Sequence, residues 1–240
     1  MHGQLGEPAL QWRDVTVRYG HGAPAVANVT LSIEPGELVA MVGPNGAGKT
    51  SLMRAAAGLV ARDGEIVIPG RARHDLAYVP QRRDIEHDFP ITVGEVVAQG
   101  RRPHLRLAQR LRAADRSVIA WALEIVELRG LERAPLGTLS GGQLQRAMLA
   151  RALAQEASVL LLDEPFNGVD GATVNSLIAL LRRQAEAGTA IVVSTHDLAL
   201  VRHHFQRCVL IDRRLVADGA PAAVLGGAAL EHALGFMGGC

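Results

Sequence analysis

A short apolar segment leads directly into a glycine-rich loop and then into a helical pattern. Leu38–Val42 is a predicted buried strand, and the loop Gly43–Thr50 that follows it reads Gly-Pro-Asn-Gly-Ala-Gly-Lys-Thr. This spacing matches the phosphate-binding pattern G-x-x-x-x-G-K-[ST], whose glycines let backbone N–H groups approach phosphate oxygens. We predict a helix from about Lys49 to Ala57, and its N-terminus would add to the same anion site.

The use of lysine points to the same loop. Lys49 is the only lysine among 25 lysine and arginine residues. A compact ammonium group on a flexible stem suits a narrow phosphate cradle better than a planar guanidinium does. Thr50 adds a hydroxyl oxygen for Mg²⁺, a cation that prefers oxygen ligands. The residues expected to bind nucleotide in this region are Gly43, Pro44, Asn45, Gly46, Ala47, Gly48, Lys49, Thr50 and Ser51.

Composition restricts the fold and the partners. The chain has 240 residues, enough for one large domain or one domain with an insertion. It is 48% hydrophobic but only 3% aromatic, so Ala, Leu, Val and Ile must build the core, which suits an α/β fold. A net charge of +1 gives no indication of a nucleic-acid partner. Two distant cysteines, Cys208 and Cys240, are too few for a disulfide framework or a zinc site.

The order of predicted elements is mixed, with a helical interruption. Neither a membrane-spanning run nor a signal peptide is evident, so we expect a soluble cytoplasmic chain that can dock on a membrane protein. Residues 84–135 are predicted to form a helical insertion, and residues 220–240 a short tail. Further strands are predicted at Leu10–Tyr19, Val26–Ile33, Val159–Leu162 and Ala190–Ser194, and helices at Val93–Gln99, Ala114–Leu128, Gly142–Ala154 and Ala172–Ala187, with a strand pair and a helix after Arg207.

Two carboxylates follow the apolar strand Val159–Leu162. Asp163 is placed to hold the Mg²⁺ shell, as in other enzymes with this loop. Glu164 is placed to orient and partly deprotonate an attacking water. An acidic turn after an ordinary strand is the alternative interpretation, and the phosphate-binding loop makes the catalytic one stronger.

The segment Leu139–Gln143 offers a second anion site. It reads Leu-Ser-Gly-Gly-Gln and places the Ser140 hydroxyl and the N–H groups of Gly141 and Gly142 at the start of a predicted helix. Helix capping by the serine is an alternative that is compatible with this role. Since the chain has one nucleotide cradle, a second phosphate-binding helix end suggests that two chains share each nucleotide.

These motifs together resemble the ATP-binding subunits of ABC transporters. The resemblance covers nearly the whole chain, roughly Leu10 to Gly219, and Leu139–Gln143 is its most specific motif. It implies a P-loop NTPase core of ABC ATPase type with an antiparallel β subdomain and an inserted helical subdomain. It also implies ATP hydrolysis with Mg²⁺, a head-to-tail homodimer, integral-membrane permease subunits, an extracytoplasmic substrate-binding protein and a peripheral position on the cytoplasmic face of the cell membrane.

The resemblance also implies roles for single residues. Gln81 would sense Mg²⁺ and the γ-phosphate, and His196 would contact the γ-phosphate. Asp170 would lie at the dimer interface, whereas Tyr19 would stack on adenine. Ser140, Gly141, Gly142 and Gln143 would bind the nucleotide held by the other chain.

The sequence departs from the common family pattern at two places. Thr50-Ser51 replaces Ser-Thr after the lysine, and both orders retain a hydroxyl for Mg²⁺. Asn167-Gly168-Val169-Asp170 replaces the frequent Ser-x-Leu-Asp, which changes the side chains before Asp170.

Segments outside the nucleotide motifs are similar to those of zinc- and manganese-type metal importers. They are Tyr78–Arg83, Asp88–Val93, Val96-Val97, Gly100-Arg101 and Leu162–Asp170. Uptake of manganese or zinc is therefore the predicted function, and import of an iron chelate or another substrate is the alternative. Two alternatives come from other functional classes. A small-molecule kinase with this phosphate-binding loop would not need Leu139–Gln143. A scaffold that binds nucleotide without hydrolysing it would not need Glu164 and His196.

Two residue clusters have simpler explanations. Adjacent histidines such as His203 and His204 diverge on a helix, so we expect no metal site in this chain. An arginine-rich stretch is first interpreted as a solvated helix face, with acidic permease loops or anionic lipid headgroups as alternative contacts. It comprises Arg101, Arg102, Arg106, Arg110, Arg112 and Arg116.

Overall fold

The computed structural model describes residues 7–68, 75–81, 90–106 and 109–226. Its strands are β1 Leu10–Val17, β2 Val26–Ile33, β3 Leu38–Val42, β4 Asp63–Val67, β5 Leu76–Val79, β6 Val159–Asp163, β7 Ala190–Ser194, β8 Arg207–Ile211 and β9 Leu215–Gly219. Its α-helices are α1 Lys49–Ala56, α2 Val93–Gln99, α3 Ala113–Ile125, α4 Gly141–Leu153, α5 Gly171–Glu186, α6 Leu198–His204 and α7 Pro221–Leu225. Short 3₁₀ turns cover Arg102–His104 and Leu136–Thr138.

The described strands form two sheets. An antiparallel sheet has the order β2-β1-β4, and a six-stranded sheet has the order β5-β6-β7-β3-β8-β9. Every residue of β6 and β7 is buried, as expected for central parallel strands covered on both faces. The register pairs Asp163 at the end of β6 with Ser194 at the end of β7. Because β3 pairs with β7, the phosphate-binding loop emerges at the same edge as both residues.

The predicted insertion contains helices that pack on α4. Within residues 84–135, the described part holds α2, the first 3₁₀ turn and α3. Val97 of α2, Leu123 of α3 and Met148 of α4 are buried in one hydrophobic cluster. The same cluster includes residues of β5, β6 and β7, so these helices share their core with one face of the large sheet. The boundaries of the insertion stay a prediction.

The expectation of a solvated face is wrong for Arg101. This residue is only 7% exposed. Its guanidinium donates to Asp115 Oδ1 at 3.0 Å, to the Ala154 carbonyl at 2.8 Å and to Glu156 Oε2 at 2.6 Å. Arg101 therefore ties the end of α2 to the start of α3 and to the turn before β6. The other five arginines of the stretch are exposed, as predicted, but only Arg116 among them lies in an α-helix, so they do not form one helix face.

Several elements differ from their sequence-based bounds. β1 ends at Val17 instead of Tyr19, and α3 begins and ends one and three residues earlier than predicted. β4, β5 and α6 were not predicted. β4 carries three exposed residues, so it lacks a clear apolar alternation. β5 has only four residues and α6 only seven, which leaves a weak periodic signal.

The ends of the chain and two predicted segments lie partly outside the described residues. Of the predicted tail 220–240, α7 covers Pro221–Leu225, and residues 227–240, including Cys240, fall outside the description. Arg82, Arg83, Asp88 and Phe89 of the importer-like segments also fall outside it. None of the helices in the described ranges combines the length and apolar character that crossing a membrane requires.

Candidate nucleotide site

The phosphate-binding loop is shaped by close backbone approaches at two glycines. Gly43 and Gly48 have φ angles of 148° and 97°, in the region that favours glycine. A Cβ on Gly43 would lie 2.0 Å from the Ile211 carbonyl oxygen, and a Cβ on Gly48 would lie 2.5 Å from the Ala25 carbonyl oxygen. Any side chain at either position would displace the loop, so the sequence requires glycine there to form the cradle.

Lys49 lies inside this cradle and is 6% exposed. Its ammonium donates to the carbonyl oxygens of Gly43, at 2.7 Å, and Pro44, at 3.0 Å. Burial lowers the pKa of Lys49, while the nearby carboxylates of Glu164 and Asp163 act in the opposite direction. The single side-chain amine of the protein is therefore held at the loop, with acidic groups close to it.

Asp163 is completely buried and receives several hydrogen bonds. Ser194 Oγ donates to Asp163 Oδ1 at 2.6 Å, and the Tyr78 hydroxyl donates to Asp163 Oδ2 at 3.3 Å. Burial raises the pKa of Tyr78, which keeps its phenol neutral and able to donate. These contacts fix both oxygens of the carboxylate at the carboxyl end of β6.

Gln81 brings the predicted magnesium ligands together. Its Nε2 donates to Thr50 Oγ1 at 3.2 Å and lies 3.4 Å from Asp163 Oδ1. Thr50, Gln81 and Asp163 therefore gather a hydroxyl, an amide and a carboxylate beside the loop. This set of oxygen-bearing groups fits the ligand preference of Mg²⁺.

Glu164 lies next to His196 and Asn167. The imidazole Nδ1 of His196 is 4.0 Å from Glu164 Oε2, and the Asn167 amide donates to the same oxygen. The Glu164 backbone has a φ of 51°, and its N–H donates to Ser194 Oγ at 2.9 Å. The Glu164 side chain is 14% exposed, whereas His196 is 62% exposed, so the glutamate is partly sheltered and the histidine faces the opening.

A cavity of about 1000 Å³ is lined by most of these groups, whereas the fully buried Asp163 is not part of its lining. Its lining comprises Ala25, the whole segment Gly43–Ser51, Arg54, Gln81, Glu164, Asn167, His196 and Leu198. A glycine-rich cradle, a buried ammonium and adjacent carboxylates provide complementary contacts for a polyphosphate and its cation.

The ABC transporter family matches residues 26–167, which include the phosphate-binding loop, Leu139–Gln143 and both carboxylates. This chain belongs to the ABC transporter family. It is an ATP-binding cassette ATPase, and its architecture is the predicted P-loop NTPase core with an antiparallel sheet and added helices.

Curated relatives of this ABC ATPase include metal transport subunits. The manganese transport system ATP-binding protein MntB of Listeria monocytogenes is 40% identical over 215 residues, 88% of this chain and 89% of the relative. The zinc transport system ATP-binding protein TroB of Treponema pallidum is 38% identical over 217 residues, 88% of this chain and 81% of the relative. The chelated iron transport system membrane protein YfeB of Yersinia pestis is 36% identical over 225 residues, 91% and 76% of the two chains.

Solved structures show the same fold as this ABC ATPase. A proposed metal-chelate type ABC transporter in an inward-facing conformation matches with a TM-score of 0.84 and 25% identity, over 95% of this chain and 89% of the other. A bacterial ABC transporter cassette, described as dimeric, matches with a TM-score of 0.78 and 27% identity, over 88% and 98% of the two chains.

The most specific family motif, Leu139–Gln143, is called the signature segment here. In this ABC ATPase it lies apart from the cleft. Ser140 caps α4, because its Oγ accepts the Gln143 N–H at 3.3 Å while the Gln143 side chain accepts the Ser140 N–H at 2.9 Å. The capping interpretation is therefore correct. Ser140 is exposed, and the lining of the cleft includes none of Ser140, Gly141, Gly142 and Gln143, all of which the structure describes.

Asp170 caps α5 of the ABC ATPase. Its Oδ1 accepts the Thr173 N–H at 2.9 Å, and its Oδ2 accepts the Thr173 hydroxyl at 2.7 Å. The hydrogen bond from the Thr173 N–H is the main cause that lowers the Asp170 pKa. Arg146 of α4 donates to the Thr173 hydroxyl oxygen at 3.2 Å, so the cap is linked to the helix that begins at the signature segment. The role of Asp170 at a dimer interface stays a prediction.

Tyr19 is 51% exposed and is not part of the cleft lining. Its exposed ring is accessible to a planar ligand, and adenine stacking stays a prediction. Sequence reasoning missed Tyr78, Asn167 and Ser194, whose side chains contact Asp163 or Glu164. A polar serine at the end of the apolar strand Ala190–Ser194 was the one available signal, because residues at the ends of neighbouring parallel strands meet at one edge.

Proposed function

We propose that this ABC ATPase hydrolyses ATP with Mg²⁺ to power uptake of a divalent metal ion, manganese or zinc, through separate membrane permease subunits. The proposal is supported by a cavity that joins the glycine-rich loop to Glu164 and His196, in a chain similar, over more than four fifths of its length, to manganese and zinc transport subunits. Import of an iron chelate is the second candidate, because the Yersinia pestis relative belongs to a chelated iron system.

The cleft residues divide the work of hydrolysis. Lys49 and the loop N–H groups bind phosphate oxygens, and Thr50, Gln81 and Asp163 would hold Mg²⁺. When bound, that ion offsets phosphate charge and orients the phosphates. Glu164 orients the attacking water and accepts its proton, and His196 faces the same space to contact the γ-phosphate. The catalysis uses positioning and electrostatics and needs no covalent intermediate.

The proposed active unit is a head-to-tail homodimer. Ser140 is exposed, Gly141 and Gly142 are partly exposed, and none of the three lines the cleft of its own chain, so a nucleotide held by a second copy can reach this helix end. The assembly would include permease subunits and an extracytoplasmic substrate-binding protein, with the ATPase peripheral on the cytoplasmic face of the membrane. No nucleic-acid partner is part of the proposal.

The other functional classes have less support. Membership of the ABC family and the signature segment argue against a small-molecule kinase. A non-hydrolysing scaffold would not require Glu164 beside His196 within one cleft. Phosphate release from ATP would separate an ATPase from such a scaffold.

Cellular metal content tests the proposed substrate. Host cells would carry wild-type protein, Glu164→Gln or the matched control Glu186→Gln, which makes the same change on the exposed side of α5. Elemental analysis should show that cells with Glu164→Gln selectively lose manganese or zinc uptake, whereas cells with Glu186→Gln take up metal like the wild type. Unchanged uptake of both metals, with expressed and ATP-hydrolysing wild-type protein, would overturn the metal assignment and leave the ATPase assignment intact.

Dimer formation is tested separately by size-exclusion chromatography. Glu164→Gln should retain ATP binding and accumulate as an ATP-bound dimer, because hydrolysis that would reopen the dimer is slowed. Ser140→Ala combined with Glu164→Gln should weaken this dimer. Strictly monomeric elution of Glu164→Gln with ATP and Mg²⁺ would refute the shared-site arrangement.

A further inference from the structure

One buried hydroxyl connects the carboxylate of Asp163 to the backbone of Glu164. Ser194 Oγ donates its proton to Asp163 Oδ1 at 2.6 Å. The same oxygen accepts the backbone N–H of Glu164 at 2.9 Å. Ser194 is fully buried, so this hydroxyl is committed to the two acidic residues.

Strand register places the serine at this point. In the parallel pair β6 and β7, Asp163 lies opposite Ser194, and Glu164 is the first residue after β6. The chain turns sharply there, because Glu164 has a φ of 51°. This conformation is uncommon for a non-glycine residue, and contacts with the surrounding structure stabilise it. The hydrogen bond from the Glu164 N–H to Ser194 is a contact of this kind.

Other donors to Asp163 are more distant. Gln81 Nε2 lies 3.4 Å from Oδ1, and the Tyr78 hydroxyl lies 3.3 Å from Oδ2. The bond from Ser194 is the shortest of the three, and Ser194 is also the residue among these donors that contacts Glu164. Loss of its hydroxyl would remove the hydrogen-bonded link between the Asp163 carboxylate and the backbone from which the Glu164 side chain extends.

We propose that Ser194 is a positioning residue that sets the magnesium-holding carboxylate of Asp163 relative to the water-orienting carboxylate of Glu164 before nucleotide binds. This inference rests on the proposed use of Mg²⁺ and ATP by the cleft. A purely structural serine would affect stability alone. Replacement of a positioning serine would also change how strongly Mg²⁺ enhances ATP binding and how fast bound ATP is hydrolysed.

The test compares ATP binding with and without Mg²⁺. Ser194→Ala removes the hydroxyl with little change in volume, and Ser194→Thr restores a hydroxyl. Val193→Ala is the control, because it alters the preceding buried residue of β7, whose side chain points to the opposite face of the sheet. A fluorescent ATP analogue would be titrated in EDTA and in Mg²⁺, with thermal unfolding measured on the same samples.

Ser194→Ala should bind the analogue like wild type in EDTA, since the loop and Lys49 are unchanged. The gain in affinity on adding Mg²⁺ should fall about tenfold, the factor expected for loss of one hydrogen bond to a charged group. The rate of hydrolysis should fall with it, and Ser194→Thr should recover both. Val193→Ala should lower the unfolding temperature and leave the Mg²⁺ gain as in wild type.

The outcomes separate this inference from the proposed function. An unchanged Mg²⁺ gain in Ser194→Ala, with a normal gain in wild type, would overturn the role of Ser194 alone. A wild-type affinity that does not respond to Mg²⁺ would overturn the proposed cofactor and this inference with it. If Ser194→Ala does not fold, Ser194→Cys fills the site with a weaker donor, and a wild-type Mg²⁺ gain in that variant would also refute the proposal.

Discussion

Replacing Arg101 tests whether one buried guanidinium attaches the helical segment to the rest of the protein. The side chain is 9% exposed and its partner Asp115 is 8% exposed. Its other acceptors are the Ala154 carbonyl and the carboxylate of Glu156. Arg101→Ala would remove the charged donor from Asp115 and from that carbonyl, where both side chains of the ion pair are largely buried.

The expected loss of stability is large because a buried pair is broken and not replaced. Removal of one partner from a buried ion pair costs about 3–5 kcal/mol. Glu156 contributes little to this figure, since its side chain is 52% exposed and water can solvate the freed carboxylate. Asp115 also keeps a hydrogen bond from the Arg112 N–H at 2.9 Å, which reduces the loss toward the lower limit. We therefore expect about 3 kcal/mol for Arg101→Ala.

Urea unfolding of a double-mutant cycle measures this directly. Arg101→Ala, Asp115→Ala and the double variant should give a coupling energy of about 1–3 kcal/mol. Arg116→Ala is the matched control, because Arg116 is exposed and follows Asp115 in α3. Its effect on the free energy of unfolding should stay within about 0.5 kcal/mol. A loss below about 1 kcal/mol for Arg101→Ala, or no coupling to Asp115, would refute the argument.

The same pair should give a pH dependence. The hydrogen bond from the Arg112 N–H is the main cause that lowers the Asp115 pKa, followed by the bond and charge of Arg101. A carboxyl whose folded pKa is depressed adds stability above its unfolded pKa and loses it as pH falls through the folded value. The contribution of Asp115 to the stability of the wild-type protein should therefore be lost below about pH 4. Asp115→Ala should lack that part of the acid transition.

Three other perturbations test the cleft and the core. Lys49→Ala should weaken ATP binding by about 1.5–3 kcal/mol in a titration, and ATP should protect Lys49, the only side-chain amine, from an amine reagent. Gly48→Ala should lower both stability and ATP affinity. Gly58→Ala, which has positive φ but open space around a Cβ, should cost only about 1–2 kcal/mol of backbone strain and leave ATP affinity unchanged. In a Cys240→Ser background, Cys208 should resist thiol reagents until the protein unfolds, because burial raises its pKa to about 12.

Local patterns were sufficient to predict the central elements. Val159–Leu162 is a continuous apolar run and Ala190–Ser194 is apolar up to its final serine, and both segments lie in fully buried strands of the large sheet. Leu38–Val42 followed by Gly43–Thr50 carried its own strand, loop and helix signals. The family resemblance then supplied the fold class, which the comparisons confirm. These features depend on residues close together in sequence or on a highly specific motif.

Contacts between distant segments could not be predicted in the same way. Tyr78 and Asp163 are 85 positions apart, and their hydrogen bond depends on the pairing of β5 with β6. Arg101 and Arg102 are identical neighbours in the sequence, yet one is buried and the other exposed. Only packing of α2 against α4, and the acceptors that this packing provides, distinguishes them.

The two explanations of Ser140 do not exclude each other. In the cap of α4, its oxygen accepts a hydrogen bond from the Gln143 N–H, which uses acceptor capacity alone. A phosphate oxygen requires donors, and the hydroxyl proton of a capping serine can still be donated. Gly141 and Gly142 add first-turn N–H groups, which have no partner within an α-helix. The cap therefore stabilises the helix end in the conformation that the proposed nucleotide contact needs, and one sequence motif serves both purposes.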